Sequence, residues 1–280
     1  MVIQKVINNN VISAYDENQQ EVVIMGKGIG FKAHMGDAID ESRVEKVFRI
    51  ENEKLSRQFQ EILENIPLEH MQLTSDIITY AKKNLNVQLN QSIYITLTDH
   101  INSAVARYRE GIALKNMMKI DIRKFYPKEY QVGMHAIEWI KEQTGEDLGD
   151  DEAAFIAMHI VSAELNAQNI TDVNQITELI NTVLQIVRIH FKIDLNEESI
   201  SYERFLTHLK FFAARVFDHM EYKDTMQEIY KVMVEQNENA FSGVKKIAEY
   251  IKKQYNYKLT IDEQLYLLIH IKRILDEQTK

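Results

Sequence analysis

Two stretches of this chain repeat one helical pattern. Residues 136–160 (AIEWIKEQTGEDLGDDEAAFIAMHI) align without a gap with residues 247–271 (IAEYIKKQYNYKLTIDEQLYLLIHI), at an offset of 111 residues. The matched pairs include Glu138 with Glu249, Trp139 with Tyr250, Lys141 with Lys252, Gln143 with Gln254, Leu148 with Leu259, Glu152 with Glu263, Phe155 with Tyr266 and His159 with His270. Further upstream, at an offset of 108, the pairs are Tyr94 with Tyr202, His100 with His208 and Arg107 with Arg215. We therefore expect two copies of one helical module.

The N-terminal residues have a different pattern. Four of the nine glycines lie within the first 36 residues, and the apolar segments there are short, β-branched and partly alternating. Polar and glycine-rich stretches separate these segments, which is typical of strands joined by turns. The predicted strands are 2–6, 11–15, 21–25 and 44–50. A sheet this small buries little apolar surface on its own, so we expect it to pair with a second copy in a homodimer.

From Glu51 onward, apolar residues recur three and four positions apart, which indicates helices. The predicted architecture is a multi-domain chain, in which a small antiparallel β domain precedes two all-α helical-bundle repeats. We place the domains at residues 1–55, 56–170 and 171–280. The junction between the repeats is expected in the polar stretch 168–173.

Each repeat contributes two histidines at matching positions, His100 and His159 in the first and His208 and His270 in the second. An arginine, Arg107 or Arg215, follows the first histidine of each repeat by seven residues. On a helix this spacing is two turns, about 10 Å along one face. Imidazole is a nucleophile that titrates near neutral pH, and a guanidinium binds phosphate well. The four histidines are therefore candidate phosphorylation sites, and the two arginines are candidate neighbours of the phosphate.

These features also have structural alternatives. A repeated histidine on an apolar helix can be a hydrogen-bonded residue of the core. Glu152 and Glu263, each seven residues before a histidine, can be ligands or bases, but Thr260-x-x-Glu263 also matches a helix capping box and Glu152 holds the same helical position. We favour capping for both glutamates. His208 and His219 lie three turns apart without a carboxylate in register, so we expect no metal site.

The segment 22–35 (VVIMGKGIGFKAHM) contains two lysines and a histidine but no acidic residue. Its alternate glycines let a backbone approach a ligand, but no helical pattern follows, which argues against a nucleotide phosphate loop. Together with asparagines 8–10, Lys5 and the ring of Phe31, the segment offers amides for base edges, a ring for stacking and lysines for phosphate. These groups suit structured RNA. The alternative is a tight turn at the asparagines and a β-bulge at the glycines.

Composition excludes several other classes of site and protein. The chain has no cysteine, which excludes disulfides, thiolate zinc sites and cysteine nucleophiles. No apolar run approaches the about 18–20 residues of a membrane span, and the first residues lack the pattern of a signal peptide. We therefore expect a cytoplasmic protein without membrane insertion, and no cofactor. The 33 basic and 42 acidic residues give a net charge of −9, which argues against coating nucleic acid through bulk charge.

The motifs KVINNNVI, VVIMGKGIGFK and VEKVFRI resemble the co-antiterminator RNA-binding domain of the BglG/SacY family of transcriptional antiterminators. The motifs LTDHI, DEAAFIAMHIV, LTHLKFFAAR and LLIHIKR resemble the two phosphotransferase-system regulation domains that follow it in that family. The resemblance covers the whole chain. It implies a dimeric protein that stabilises an antiterminator hairpin in a leader transcript, so that the overlapping terminator does not form. The operon read through would serve the use of a sugar, with a β-glucoside as the expected one.

The resemblance also implies roles for individual residues. The RNA contacts would be Lys5, Asn8, Asn10, Gly26, Lys27, Gly28 and Phe31. Relatives often have arginine where this chain has Lys27, and lysine keeps the charge without the bidentate contact. The phosphate acceptors would be His100, His159, His208 and His270. In relatives the sugar permease, an enzyme II, phosphorylates the first regulation domain and inhibits, whereas the phosphocarrier HPr phosphorylates the second and activates by favouring a closed dimer.

Two other classes of protein compete with this interpretation. A histidine phosphotransfer enzyme would pass its phosphate to a downstream protein, but the sequence shows neither a nucleotide site nor a metal-binding carboxylate cluster. A DNA-binding activator regulated by phosphohistidine would normally present a helix-turn-helix, whereas the N-terminal pattern predicts strands. We therefore expect a regulatory switch that binds RNA, and neither an enzyme nor a DNA-binding protein.

Overall fold

The structure is a computed structural model that describes residues 1–49, 53–64, 66–167, 170–218 and 225–278. The chain separates into two compact units, Met1–Asn166 and Ala167–Lys280. The predicted junction at 168–173 begins on two residues that lie outside the described ranges. None of the helices in these ranges combines the length and the apolar character that a membrane crossing requires.

The first unit begins with an antiparallel sheet of four strands in the order β1-β2-β3-β4. The strands are β1 (Ile3–Asn8), β2 (Val11–Tyr15), β3 (Glu21–Met25) and β4 (Lys46–Arg49). The predicted antiparallel β module is thus confirmed. Strand β1 runs two residues further than predicted because Asn8 pairs with Val11 and closes the hairpin. Ile50, the last residue of the predicted fourth strand, lies outside the described residues.

Both faces of this sheet are covered by the same chain. On one face, Val23 and Phe48 pack with Phe59 of helix α1 (Glu53–Leu63). On the other face, Ile24 packs with Ile29 from the segment between β3 and β4. A second copy was expected because a small sheet buries little apolar surface by itself. Helix α1 and the segment between β3 and β4 already cover the apolar faces of this sheet. Dimerisation stays a prediction.

In the described residues after β4, the regular elements of both units are helices, and the two predicted all-α repeats are confirmed. The further helices of the first unit are α2 (Leu68–Leu85), α3 (Ile93–Arg109), α4 (Lys119–Phe125), α5 (Pro127–Thr144) and α6 (Asp150–Glu164). Those of the second are α7 (Ile170–Phe191), α8 (Ile200–Asp218), α9 (Gln227–Gln236), α10 (Glu238–Tyr255) and α11 (Ile261–Gln278). Helices α3 and α6 pack against each other, as do α8 and α11, and these four helices carry the paired histidines.

Local signals explain where the repeated helices end. Helix α5 begins with Pro127, whose fixed φ suits the first helical position, and ends at Gly145 in the left-handed conformation. In the second unit, Asn256 ends α10 in the same conformation, at the position that aligns with Gly145. Glycine and asparagine tolerate this conformation best, so both repeats stop their helices by the same means.

Candidate functional site

The asparagine turn between β1 and β2 lies against the glycine loop after β3. The backbone N–H of Gly26 donates to the carbonyl oxygen of Asn10 at 2.9 Å, and the N–H of Gly30 donates to that of Asn9 at 3.0 Å. The side-chain Oδ1 of Asn10 accepts the N–H of Gly28 at 2.8 Å. Three hydrogen bonds thus join two segments that are distant in sequence into one surface, which we call the turn–loop surface (residues 8–10 and 26–31).

The amide groups of this surface are partly used in holding it together. Oδ1 of Asn8 accepts the backbone N–H of Asn10 at 2.8 Å, and its Nδ2 donates to the carbonyl oxygen of Leu63 at 2.7 Å. The asparagines therefore form a tight turn, which is the structural alternative considered for them. Because the amide oxygens of both residues accept internal hydrogen bonds, Asn10 would present its Nδ2 donors to a ligand.

The glycines lie beyond the end of β3 in turns, so the β-bulge alternative is wrong. A Cβ atom on Gly26 would lie 1.7 Å from the carbonyl oxygen of Arg43, and one on Gly30 would lie 2.2 Å from the carbonyl oxygen of Asn8. Gly28 has a φ of 69°, which favours glycine for conformational reasons. Two of these glycines therefore permit a close approach of backbone to backbone, and the third permits the turn.

Charged and aromatic side chains complete the surface. Phe31 is 57% exposed, and Lys27 is exposed in the same loop. Lys5 on β1 lies 3.5 Å from the carboxylate of Glu64. Sequence reasoning missed Arg43, whose guanidinium donates to the carbonyl oxygen of Gly28 at 2.9 Å. No local signal could have identified Arg43, because its partner lies 15 residues earlier in the chain.

In the first repeat, the two histidines face each other across α3 and α6. The ring centroids of His100 and His159 are 4.8 Å apart, and the ring of Phe155 lies 5.7 Å from that of His100. Nε2 of His100 lies 3.0 Å from Oε2 of Glu152, and a guanidinium nitrogen of Arg107 lies 3.2 Å from Oε1 of the same carboxylate. The histidine and the arginine are therefore bridged by a buried glutamate.

This contact corrects the expectation that Glu152 caps its helix. Gly149, which precedes α6, has no side chain with which to form a capping box, and the carboxylate points to α3 instead. Burial acts to raise the pKa of Glu152, but the contact with His100 and the charges of His100 and Arg107 outweigh it and lower the pKa below its ordinary value. The bridging glutamate is therefore ionised at neutral pH.

In the second repeat, the corresponding histidines lie just as close. The ring centroids of His208 and His270 are 4.6 Å apart, and the ring of Tyr266 stacks on His208 at 5.8 Å. The histidines line a cleft of about 420 Å³ whose wall includes Phe205 and Phe211. The cleft leaves His208 exposed, whereas His270 is buried.

The second glutamate behaves as the sequence predicts. The backbone N–H of Thr260 donates to Oε2 of Glu263 at 3.0 Å, and the N–H of Glu263 donates to Oγ1 of Thr260 at 3.2 Å, which is a capping box. The hydroxyl of Tyr257 donates to Oε1 of Glu263 at 3.0 Å, and Nε of Arg215 lies 3.5 Å from the same oxygen. Both aligned glutamates therefore contact the arginine of their own repeat, but Glu152 also contacts a histidine, whereas Glu263 forms a capping box.

The inner histidine of each pair is held in its neutral form. Burial lowers the pKa of His159 well below its ordinary value, and the charge of His100 adds to the effect. Burial, followed by the charges of His208 and nearby arginines, lowers the pKa of His270 to about 4. Nε2 of His159 and Nδ1 of His270 are buried without a hydrogen-bond partner among the described residues, so neither is a fully hydrogen-bonded core histidine.

The low pKa of His270 predicts a loss of stability in acid. Because its folded-state pKa of about 4 lies below the value of 6.5 for a free histidine, the unfolded chain binds more protons between these pH values, and stability falls as the pH drops through this window. From pH 7 to pH 5 the free energy of unfolding of the second repeat should fall by about 1–2 kcal/mol. Denaturant titrations at both pH values should show this loss, and His270→Gln should show a smaller one. An equal loss in both proteins would assign the effect to other groups.

Among the described residues, no group of three histidine or acidic side chains is placed to hold a metal ion. His219, the more distant histidine considered with His208 above, lies outside those residues.

Comparison with known proteins gives the same two kinds of domain. The CAT RNA binding domain matches residues 1–57, and the PRD domain matches residues 75–163 and 181–274. The transcription antiterminator LicT of Bacillus subtilis is 46% identical over 279 residues, which cover 99% of this chain and 100% of LicT. The beta-glucoside operon antiterminator of Dickeya chrysanthemi is 38% identical, over 100% of this chain and 99% of that protein.

Among solved structures, the crystal structure of GlcT CAT-PRDI is similar, with a TM-score of 0.51 and 36% identity. The match covers 58% of this chain and 97% of that structure. These similarities confirm the family that the sequence motifs predicted: the chain belongs to the BglG/SacY family of transcriptional antiterminators, with an RNA-binding CAT domain followed by two PRD regulatory domains.

Proposed function

We propose that this protein is a cytoplasmic, homodimeric antiterminator that binds an RNA hairpin in the leader transcript of a β-glucoside utilisation operon. Residues 1–55 bind the RNA, and residues 56–170 and 171–280 regulate the binding. The bound hairpin excludes the overlapping terminator, so that transcription continues. The protein is a regulator and not an enzyme. The β-glucoside is suggested by the relative from Dickeya chrysanthemi, which is named for such an operon.

The observation that carries this proposal is the turn–loop surface. Its backbone is held by internal hydrogen bonds before any ligand arrives, so little ordering is needed on binding. Phe31 offers an exposed ring on which an unpaired base can stack, and Nζ of Lys32 lies 5.5 Å from the centre of that ring. A stacking ring beside a cation, with amide donors from Asn10, supports recognition of a hairpin that contains unpaired bases.

RNA is favoured over DNA by the kind of element that carries these groups. Reading of DNA through a helix-turn-helix needs a helix that enters the major groove. Within residues 1–49, the structure has four strands and one helical turn of three residues, Glu41–Arg43. A surface of turns with exposed rings and amides suits splayed single-stranded bases better than a continuous duplex.

The paired histidines support regulation by phosphorylation. We infer that the sugar permease phosphorylates the first repeat at His100 or His159, and that HPr phosphorylates the second at His208 or His270. A phosphoryl group adds about two negative charges at the packed helix pair that carries the histidines. The outer histidines, His100 and His208, are more accessible than the inner ones in this structure, which makes them the first residues to test as acceptors.

Substitutions in the turn–loop surface test the RNA site in the full-length chain. Asn10→Ala removes both the acceptor for the N–H of Gly28 and the outward donors, and Phe31→Ala removes the stacking ring. Each should weaken binding of a short RNA hairpin by about 1–3 kcal/mol in a gel shift titration. Duplex DNA of the same sequence should bind only weakly to all variants.

The matched control is Asn18→Ala, an exposed asparagine in the turn between β2 and β3, at the other end of the hairpin strands. Its affinity for the RNA should equal that of the unaltered chain. Unchanged affinity in both Asn10→Ala and Phe31→Ala would place the RNA site elsewhere, and stronger binding to the duplex DNA would favour a DNA-binding regulator.

A further inference from the structure

Glu152 lies where the first repeat would need room for a phosphoryl group. Sequence spacing places Arg107 two helical turns after His100, within reach of a group attached to that histidine. The structure fills this position with the carboxylate of Glu152, at 3.0 Å from Nε2 of His100 and 3.2 Å from Arg107. Nε2 itself is buried, although the histidine side chain as a whole is 14% exposed.

We propose that Glu152 is an internal stand-in for the phosphoryl group of His100, and that phosphorylation at Nε2 requires this carboxylate to leave Arg107. Glu152 is then a positioning residue, which acts on the modification through the histidine and the arginine. The proposal rests on the proposed function only in taking His100 as a regulatory phosphate acceptor.

Electrostatics makes the two groups mutually exclusive. The side chain of Glu152 is only 8% exposed, so its charge is poorly screened by solvent. A dianionic phosphoryl group on Nε2 would meet the carboxylate at close range and compete with it for the guanidinium of Arg107. Arg107 binds either anion well, because both present oxygens to its planar fork. The outcome is an exchange in which phosphate replaces carboxylate on the arginine.

The second repeat shows what happens when the glutamate is held elsewhere. Glu263 accepts hydrogen bonds from the N–H of Thr260 and the hydroxyl of Tyr257, which both lie in the segment just before α11. His208 contacts the rings of Tyr266 and His270, and no ion pair joins it to Glu263 in the described part of this repeat. Arg215 also lies 3.5 Å from Oε1 of Glu263, but a phosphoryl group on His208 would not have to displace a carboxylate from the histidine itself. The first repeat therefore has a carboxylate against its acceptor nitrogen, and the second does not.

The proposal is tested with potassium phosphoramidate, a small phosphoryl donor that needs no partner protein. Once the Glu152 carboxylate has left Nε2 and the ring proton lies on Nδ1, the lone pair of Nε2 attacks phosphorus. The phosphorus–nitrogen bond of the donor breaks, and its electron pair leaves with ammonia. The ring keeps its proton on Nδ1 and carries the positive charge until that proton is released to water. Peptide mapping of the full-length chain measures labelling at His100 and His208 in the same sample.

In the unaltered chain, His208 should be labelled faster than His100. Glu152→Gln, which removes the charge and keeps the shape, should raise the rate at His100 by about tenfold and leave the rate at His208 unchanged. Adding Arg107→Ala to Glu152→Gln should reverse the gain, because the phosphate then loses its binding partner. A purely structural role for Glu152 would not produce this dependence on the arginine.

Two further variants keep the result decisive. Glu152→Asp retains the charge and should leave His100 slow, which guards against an effect of altered folding. Glu263→Gln is the matched control in the second repeat and should not raise the rate at His208.

A lower rate at His100 in Glu152→Gln would overturn the proposal, since the glutamate would then assist the transfer. Equal rates in Glu152→Gln and the unaltered chain would also overturn it. Failure of HPr or the permease to phosphorylate the chain would contradict the proposed function and leave this result unaffected.

Discussion

Gly26→Ala should weaken binding of the RNA hairpin by about 100-fold or more. The new Cβ atom would lie 1.7 Å from the carbonyl oxygen of Arg43, which is backbone and cannot rotate away. Relief of this clash must move either the glycine loop or the segment that carries Arg43. Movement of the loop breaks the hydrogen bond from Gly26 to Asn10, and movement of the other segment breaks that from Arg43 to Gly28, so either one distorts the turn–loop surface. Loss of a hydrogen bond and of the close packing amounts to about 3 kcal/mol, which corresponds to the stated fold-change.

Gly36→Ala is the control for this substitution. Gly36 has a positive φ, of 95°, which Gly26 does not, and a Cβ atom on Gly36 would meet no atom within 4 Å. Its replacement should cost only the conformational strain, about 1 kcal/mol, and should leave RNA binding nearly unchanged. Gel shift titration and thermal unfolding of both variants measure the two effects. If Gly26→Ala bound RNA as well as Gly36→Ala does, the close approach would not be required for the site.

Removal of the histidines should change antitermination in opposite directions in the two repeats. His100→Ala or His159→Ala removes a proposed acceptor of an inhibitory phosphate, so read-through should no longer need the inducing sugar. His208→Ala or His270→Ala removes a proposed acceptor of an activating phosphate, so read-through should fall even with inducer. Each change should be roughly tenfold, which is the usual scale of coupling between a regulatory and a binding site.

A reporter gene behind the terminator measures these effects in cells that contain the phosphotransferase system. His135→Ala is a suitable control, because this histidine lies in the first repeat but stacks on Tyr80 and contacts the ring of Trp139 rather than those of His100 and His159. It should behave as the unaltered chain does. If all four substitutions at the paired histidines acted in the same direction, the assignment of opposite roles to the repeats would be wrong.

The helical part of the fold was predictable because its signals are local or repeated. Apolar spacing of three and four residues indicated the helices, and the matched segments 136–160 and 247–271 showed that one unit is built twice. Alternation and turn residues located the strands in the same way, with β1 ending two residues later than predicted. The exact role of the asparagines was not predictable, because their partners, Gly28 and Leu63, lie 18 and 55 residues away.

The sequence by itself determined which residues are available for chemistry. These are four histidines at duplicated positions, each pair with an arginine seven residues after its first member, and a glycine loop with lysines and the ring of Phe31. Only the tertiary structure decided which groups meet. Glu152 and Glu263 occupy the same position in the repeat, yet Glu263 caps its own helix and Glu152 bridges His100 and Arg107. The physical reason is that Thr260 offers a hydroxyl for a capping box whereas the aligned Gly149 does not, so the Glu152 carboxylate takes its partners from α3, across a helix contact that no local pattern encodes.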